Sequence, residues 1–356
     1  MFDAGHAYST MLAAINSANH SVLLSQYIFE SRGIGWQFID ALGNAARRGV
    51  EVHVILDKVG ALYSIGSTRR QLQRVGVRVA MFLPAKLRVF GWRFNLRNHR
   101  KILVVDDQLA FTGGMNIRNG YLRKRPRKAP DIRDTHFRCE GPVANDLAAI
   151  FRDDWRYATG EILPAFAEPR ETDGNVNCRT TIDGPDNNVD LLTITLLAAI
   201  ATAQQRVRIT MPYFLPPREL MSGLQAAAIR GVRVDVLIPQ NNNLRVVDWA
   251  MQHTFRELLR YGIGVYKQVG PFDHSKLITI DNDRCVFGSV NIDHRSLRLN
   301  FELAIEAWNP HLTATLNEYI ERQIETADIL DLESTQRQPR WMKLRNAIAW
   351  LGSPYL

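Results

Sequence analysis

Two copies of one short motif contain the residues with the clearest capacity for chemistry. Each copy has a histidine, a lysine two residues later and an aspartate five residues after the lysine, in the pattern H-x-K-x4-D. The copies are His99, Lys101 and Asp106, and His274, Lys276 and Asp281. Because side chains alternate along an extended strand, the histidine and lysine of each copy should share one face.

An asparagine follows each motif at a matched distance. Asn116 lies 17 residues after His99, and Asn291 lies 17 residues after His274. A pair of small residues that lets the backbone turn precedes each asparagine. These pairs are Gly113 with Gly114, and Gly288 with Ser289.

These residue types suit the cleavage of a phosphodiester. A neutral imidazole can attack phosphorus, and a second, protonated imidazole can donate a proton to the leaving alkoxide. Each copy contains one motif histidine, so we expect His99 and His274 to act together. Lysine and asparagine side chains from both copies would stabilise the negative transition state. The pattern therefore predicts phosphodiester cleavage or transfer.

A carboxylate is needed to orient each imidazole. Glu302, in the segment NFELAIEAW, is the candidate in the second half. Asp134, in RDTHFRCEGP, occupies the corresponding place in the first half. Asp106 and Asp281 lie seven residues beyond their histidines at predicted turns, so we expect them to support local structure.

Other kinds of site are less well supported. Lysine is a poor metal ligand, and no compact group of His, Asp or Glu surrounds either motif histidine, so we predict no metal. Three widely separated cysteines indicate neither a disulfide framework nor a zinc site. There is no G-x4-G-K-[ST] segment for nucleotide phosphates. No cofactor is predicted.

The chain repeats one order of elements. SVLLSQYIF and then AARRGVEVHVILD in the first half correspond to RVRITMPYF and AAIRGVRVDVLIP in the second. Each pair predicts a strand, a helix, a turn and a second strand. Each motif then opens a strand, a tight turn and another strand. The repeat predicts two α/β domains related by a pseudo-two-fold axis, each with a mixed sheet and flanking helices, with one active site at their interface.

Proline, glycine and polar residues place the domain boundaries. The predicted divisions are an N-terminal domain at 1–163, a linker at 164–188, a C-terminal domain at 189–330 and an amphipathic segment at 331–356.

The charge balance favours an anionic partner. The sequence has 44 basic and 36 acidic residues, a formal charge of +8. No apolar stretch is long enough for a transmembrane helix, and the first 21 residues do not have the pattern of a signal peptide.

Two segments mix basic and aromatic residues and are candidates for contact with a membrane or substrate. An alternative for the first is base stacking with nucleic acid. An alternative for the second is packing of an amphipathic helix on its own domain. The candidate residues are Lys86, Arg88, Phe90, Trp92, Arg93, Phe94 and Arg97, and Trp341, Lys343, Arg345 and Trp350.

The two segments NHRKILVVDDQLAFTGGMN and DHSKLITIDNDRCVFGSVN resemble the paired motifs of the phospholipase D superfamily. The tail GSVNIDHRSLRLNFEL is similar to that of the bacterial cardiolipin synthases within it. The resemblance implies a metal-independent ping-pong reaction on phosphatidylglycerol, in which His99 is the nucleophile and His274 is the acid and then the base. Members of this group often have N-terminal hydrophobic segments, and none is predicted here, so we expect a peripheral protein at the cytoplasmic face of the bacterial inner membrane.

The resemblance leaves some alternatives open. A phospholipase D or nuclease would transfer the phosphoryl group to water rather than to a lipid hydroxyl. Anionic phospholipid is the expected partner, and nucleic acid is not excluded. The acceptor alcohol, the acyl preference and the oligomeric state are not determined by the sequence.

Overall fold

The chain forms two units, Met1–Asn175 and Val176–Leu356, in a computed structural model. The structure describes residues 1–63, 67–82, 96–122, 131–166, 172, 174–185 and 190–355. The division between the units falls inside the predicted linker, 164–188. Each unit encloses its own cluster of buried apolar side chains.

The first unit is built on a mixed sheet of six strands in the order β3-β2-β1-β5-β6-β8. Strands β1, β2 and β3 are parallel, and the other pairs are antiparallel. The strands are β1 (Ser21–Gln26), β2 (Glu51–Asp57), β3 (Arg78–Phe82), β4 (Arg97–Asn98), β5 (Ile102–Val105), β6 (Leu109–Gly113), β7 (Ile132–Arg133) and β8 (His136–Glu140). The helices are α1 (Ala4–Ser17), α2 (Ile34–Arg47), α3 (Thr68–Arg74) and α4 (Pro142–Thr159).

The second unit repeats this arrangement. Its strands are β9 (Asn177–Asp183), β10 (Arg206–Thr210), β11 (Arg233–Pro239), β12 (Gly264–Gln268), β13 (Phe272–Asp273), β14 (Leu277–Ile280), β15 (Arg284–Gly288), β16 (Asn300–Trp308) and β17 (Asp328–Ile329). Its helices are α5 (Leu191–Thr202), α6 (Arg218–Ile229), α7 (Arg245–Arg260), α8 (His294–Arg298), α9 (Pro310–Ile324), α10 (Leu332–Arg337) and α11 (Arg340–Leu351). Its strands follow the order β17-β12-β11-β10-β14-β15-β16-β9.

The central six strands of the second unit, from β12 to β16, have the order and directions of the whole first sheet. This confirms the predicted duplication of a mixed α/β fold. The central strands β1 and β10 are buried along almost their whole length, because helices cover the sheet. None of the described helices combines the length and apolar content needed to cross a bilayer.

A matched glycine turn leads from a helix into a central strand in both units. Gly49 has a φ of 89° after α2, and Gly231 has a φ of 90° after α6. This left-handed conformation lets the chain reverse and satisfy the last helical carbonyls, as for Val50, whose N–H donates to the carbonyl of Ala45. The repeated R-G-V sequence is therefore the signature of one turn used twice.

The motif aspartates Asp106 and Asp281 bond to the backbone. The carboxylate of Asp281 accepts the N–H groups of Gln204, Gln205 and Arg206 at 2.8–3.0 Å. Asp106 accepts those of residues 19–21 in the same way. Each aspartate thus ties the turn after β5 or β14 to the chain that enters the neighbouring central strand.

Two elements within the segments predicted to lie outside the domains belong to the second unit. Within residues 164–188, β9 pairs along its full length with β16. Within 331–356, α11 packs on α7, where Ala349 joins the apolar core and Asn346 bonds to Gln252. One face of α11 therefore packs on its own domain, which was the alternative to membrane contact for this segment.

We expect Asp281→Ala to lower the free energy of unfolding by about 3 kcal/mol, because three charge-assisted bonds are lost at a residue with positive φ. Burial raises the pKa of Asp281, but the three N–H bonds outweigh it and hold the pKa below its usual value. The stabilisation is therefore complete above about pH 4 and is lost as the pH falls through the lowered pKa.

Urea unfolding of both proteins at neutral pH and below pH 4 measures this difference. Asp283→Ala is the matched control, because Asp283 lies in the same turn with an exposed side chain. Equal effects of the two substitutions, or a difference that does not shrink in acid, would contradict the role of Asp281.

Candidate active site

The residue before each motif histidine holds the backbone around it. The Oδ1 of Asn98 accepts the N–H of Arg100 at 3.1 Å, and the Oδ1 of Asp273 accepts the N–H of Ser275 at 2.8 Å. Each bond closes an Asx turn with the histidine in the middle. The hydroxyl of Tyr319 donates to the other oxygen of Asp273 at 3.0 Å.

In the first unit, two buried carboxylates support this turn. The N–H of Asn98 donates to Asp57 at 2.9 Å, and its Nδ2 donates to Asp154 at 3.0 Å. Arg100 forms a buried ion pair with the same Asp154 at 2.5 Å. Burial raises the pKa of Asp57, although N–H bonds from the backbone oppose the shift. Sequence analysis missed Asp57 and Asp154, since both are far from the motif in the chain.

The motif lysine lies against its own histidine in both units. The Nζ of Lys101 donates to the carbonyl of His99 at 2.6 Å. The Nζ of Lys276 donates to the carbonyl of His274 at 2.5 Å and lies 3.0 Å from its Nδ1. The motif lysine and histidine of each unit are therefore in contact, and both precede the strand that begins at Ile102 or Leu277. An anion bound at either histidine would also meet the ammonium charge.

A tyrosine packs beside each motif histidine. The rings of Tyr27 and His99 meet edge to face with centroids 5.0 Å apart, and Lys101 lies 5.6 Å from the Tyr27 ring. In the second unit, Tyr213 and His274 meet edge to face at 6.3 Å. Sequence analysis did not assign the tyrosines to the site. The repeat gave no signal for them, because Phe29 and Phe214 are equivalent and the two tyrosines therefore lie one residue out of register.

The two motif asparagines have different surroundings. The Oδ1 of Asn116 accepts the N–H of Ile28 at 3.0 Å, which ties the loop after β6 to the end of β1. The Nδ2 of Asn291 lies 3.4 Å from the hydroxyl of Ser296. Among the described residues, the Oδ1 of Asn291 has no hydrogen-bond partner. Both side chains are buried, and their contact with a substrate remains a prediction.

The predicted orienting carboxylates occupy equivalent positions in the two sheets. Asp134 and Glu302 each lie two residues before the residue that pairs with the motif glycine, Gly113 or Gly288. Both carboxylates are buried. This register places each of them next to the turn that leads to the motif asparagine.

The partners of these carboxylates differ between the units. Asp134 accepts a long bond of 3.4 Å from the hydroxyl of Tyr121. Glu302 accepts bonds from the hydroxyl of Ser289 at 2.5 Å and from the Nδ2 of Asn300 at 3.0 Å. Asp134 also accepts the N–H of Thr135 at 2.8 Å, so the two predicted orienting carboxylates are held by different groups.

Two further aspartates lie near Glu302. Asp183 pairs in register with Glu302 across β9 and β16, and Asp293 follows the motif asparagine of the second unit. Burial raises the pKa of each to about 7, and the negative charge of Glu302 adds to both shifts. Both aspartates therefore hold a proton to a higher pH than an ordinary aspartate does. Sequence analysis missed both residues, and Asp183 fell within the predicted linker.

The remaining predicted residues lie beside the first motif, in α11 or outside the described ranges. The segment with Lys86, Arg88, Phe90, Trp92, Arg93 and Phe94 lies outside the described residues. Arg97 is in β4, where its guanidinium donates to the carbonyl of Leu96 at 2.7 Å. Trp341, Lys343, Arg345 and Trp350 are in α11. Across the described ranges, no group of three or more His, Cys, Asp or Glu could hold a metal ion.

Known proteins share these units and motifs. Residues 11–155 and 196–324 match the family model for the cardiolipin synthase, PLD-like domain. The chain is 34% identical over 353 residues to cardiolipin synthase A of Pseudomonas putida, which covers 98% of this chain and 72% of that protein. It is 31% identical over 354 residues to a cardiolipin synthase of Geobacillus kaustophilus, covering 98% of this chain and 70% of that protein.

A solved structure has a similar fold. The phosphatidylserine synthase of Haemophilus influenzae superposes with a TM-score of 0.75, covering 100% of this chain and 94% of that chain. The sequence identity is 14%, so this likeness concerns the fold alone.

The carboxylate of Asp134 leaves no room for a side chain at position 114. A Cβ at Gly114 would lie 2.2 Å from the Oδ1 of Asp134, whereas the second unit has Ser289 at the same place. We expect Gly114→Ala to lower the free energy of unfolding by about 2 kcal/mol, because the buried carboxylate must move.

Chemical denaturation measures this loss. The matched control is Gly120→Ala, where a Cβ would meet the flexible side chains of Ile132 at 3.1 Å and Arg118 at 3.9 Å. A loss no larger for Gly114→Ala than for Gly120→Ala would show that Asp134 can move without cost.

Proposed function

The chain belongs to the family of cardiolipin synthases with phospholipase D-like domains, and we propose that it joins two phosphatidylglycerol molecules into cardiolipin and releases glycerol. The superfamily resemblance of the two motifs is confirmed, and the protein is a phosphatidyltransferase of that superfamily. The observation that carries the proposal is the duplication of one His-Lys pair, each on an Asx turn at the same place in its sheet.

The first half of the reaction transfers a phosphatidyl group to the protein. An imidazole nitrogen of His99 attacks the phosphorus of phosphatidylglycerol, and the bond from phosphorus to the glycerol headgroup oxygen breaks. His274, in its protonated form, gives a proton to that oxygen, so glycerol leaves as a neutral alcohol. The products are a phosphatidyl-histidine and a neutral His274.

The second half regenerates the protein. Neutral His274 takes the proton from a headgroup hydroxyl of a second phosphatidylglycerol, and the hydroxyl oxygen attacks phosphorus. The bond from phosphorus to His99 breaks, which yields cardiolipin and returns both histidines to their starting states. His274 acts as acid and then as base, as microscopic reversibility requires of a group that serves both steps.

The other polar residues of the motifs stabilise charge and orientation in this proposal. Lys101 and Lys276 neutralise the non-bridging oxygens, since each ammonium group lies against its motif histidine. Asn116 and Asn291 provide hydrogen-bond donors. Asp134 and Glu302 stabilise the imidazolium forms and set the tautomers. The different partners of these two carboxylates favour different roles for the two histidines.

The proposal includes where the protein acts. Its lipid substrate is anionic, and the net charge of +8 favours attraction to such a surface. We propose a peripheral protein at the cytoplasmic face of the bacterial inner membrane, in which the segment 331–356 contacts the lipid.

Incubation with phosphatidylglycerol vesicles in the presence of a chelator tests the reaction. We expect equal amounts of cardiolipin and glycerol. Phosphatidic acid in place of cardiolipin would indicate transfer to water, and digestion of added DNA would indicate a nuclease. Either result without cardiolipin would contradict the proposal.

A substrate with an activated leaving group separates the roles of the histidines. Against phosphatidylglycerol, we expect His274→Ala to lose about 10²–10⁴-fold in rate, the usual contribution of a general acid. With a phosphatidyl p-nitrophenol, the leaving group needs no proton. His274→Ala should then release a burst of nitrophenolate and accumulate the phosphatidyl-histidine. His99→Ala should show no burst.

His311→Ala, which alters an exposed histidine of the second unit, is the control and should retain the normal rate. A burst from His99→Ala and none from His274→Ala would reverse the assignment. Near-normal turnover of either variant on phosphatidylglycerol would contradict the two-histidine mechanism.

A further inference from the structure

Helix α11 turns its apolar stripe away from the protein. Trp341, Leu344, Ile348 and Leu351 are exposed by 61%, 63%, 61% and 71%. Their spacings of three, four and three residues place them in one line along the helix. Amphipathic helices of globular proteins usually direct such a stripe toward the core, so the orientation of α11 is the reverse of the usual one.

The opposite face of α11 docks firmly on α7. Asn346 is buried and its Nδ2 donates to Gln252 at 3.3 Å. The guanidinium of Arg345 lies 4.5 Å from the centre of the Trp249 ring, and Trp350 packs on the ring of His253 at 5.1 Å. The stripe is therefore held outward by specific contacts. Rotating the helix to bury the stripe would break the hydrogen bond between Asn346 and Gln252 and the two contacts with aromatic rings.

The charged side chains of α11 itself are of one sign. The last 17 residues of the sequence contain no acidic side chain, and Arg340, Lys343 and Arg345 are their basic residues. Arg340 is exposed at the start of the stripe. The Nζ of Lys343 donates to the carbonyl of Gln336 at 2.5 Å, which keeps its charge beside the stripe. An apolar line with a basic margin matches an anionic lipid surface.

The charge also argues against self-association. A symmetric dimer through this face would bring the basic residues of two copies into one interface, where α11 supplies no acidic side chain to pair with them. Tryptophan at one end of an exposed apolar stripe suits the region between headgroups and acyl chains.

We infer that the stripe of Trp341, Leu344, Ile348 and Leu351 is a docking surface for an anionic phospholipid bilayer. The choice of an anionic lipid rests in part on the proposed function, which requires an anionic lipid substrate. The stripe inserts at the headgroup level while Arg340 and Lys343 contact the lipid phosphates. The helix lies along the surface and does not cross it.

Flotation with vesicles of equal parts phosphatidylglycerol and phosphatidylcholine tests the surface. The test variant replaces Trp341, Leu344, Ile348 and Leu351 with glutamine in the full-length chain. We expect its vesicle affinity to fall at least tenfold, because the apolar contact with the bilayer is removed. Its activity on short-chain phosphatidylglycerol dispersed in detergent should stay within about twofold, because that assay needs no bilayer docking.

The matched control replaces four exposed apolar residues outside α11, Ile162, Val176, Ile194 and Ile229, with glutamine. It should float like the wild type. Arg340→Gln with Lys343→Gln should weaken binding to the anionic vesicles by about thirtyfold, from two lost charges near the surface. The same pair should have little effect on vesicles of phosphatidylcholine alone.

Unchanged flotation of the stripe variant would overturn the inference. So would a wild-type dimer that this variant converts to a monomer with no loss of vesicle binding, because the stripe would then be a self-association surface. A wild-type protein that floats through the stripe but makes no cardiolipin would contradict the proposed function and still support the docking surface.

Discussion

A hydrogen bond from the residue before each motif histidine sets the geometry of the site. Asn98 and Asp273 each accept the N–H two residues later, so the histidine lies inside a closed turn. This bond holds the backbone of the motif without using the histidine or lysine side chain. The residue between the histidine and the lysine is Arg100 in one unit and Ser275 in the other, and the turn forms in both. The groups that hold this turn come from the end of β2, from α4 and from α9.

The two units hold the same turn by different means. Asp57 and Asp154 anchor Asn98 through buried bonds, whereas the hydroxyl of Tyr319 anchors Asp273. The predicted orienting carboxylates differ as well. Asp134 lies against Gly114 in the first unit, whereas the longer Glu302 bonds to the hydroxyl of Ser289 in the second. A transfer reaction asks one imidazole to attack and the other to move a proton. Divergence around a duplicated motif is a physical basis for dividing those tasks.

An enzyme that acts on bilayer lipids must also lie at the bilayer. In α11, buried polar contacts hold the helix on the protein and leave its apolar residues outward. The same helix thus stabilises the second unit through one face and is available to lipid through the other. Because the helix is anchored through Asn346 and Arg345, a membrane-bound form would need no change in the fold of this segment.

Local spacing and repetition determined much of this protein at the level of sequence. The H-x-K-x4-D spacing, the repeated order of strands and the R-G-V turns predicted a duplicated mixed α/β fold, and the motif segments indicated the superfamily. Asp134 and Glu302 were found as a pair because aligning two copies of one fold also aligns their strand registers.

Only the tertiary structure decided which distant groups support the motifs and which way the last helix faces. Asp57 meets Asn98, and Asp183 meets Glu302, through the packing and pairing of chain segments far apart in sequence. Periodicity likewise revealed an apolar face on α11 but not its orientation. A pattern along a helix specifies which residues share a face, whereas the surface that this face meets depends on the rest of the folded chain.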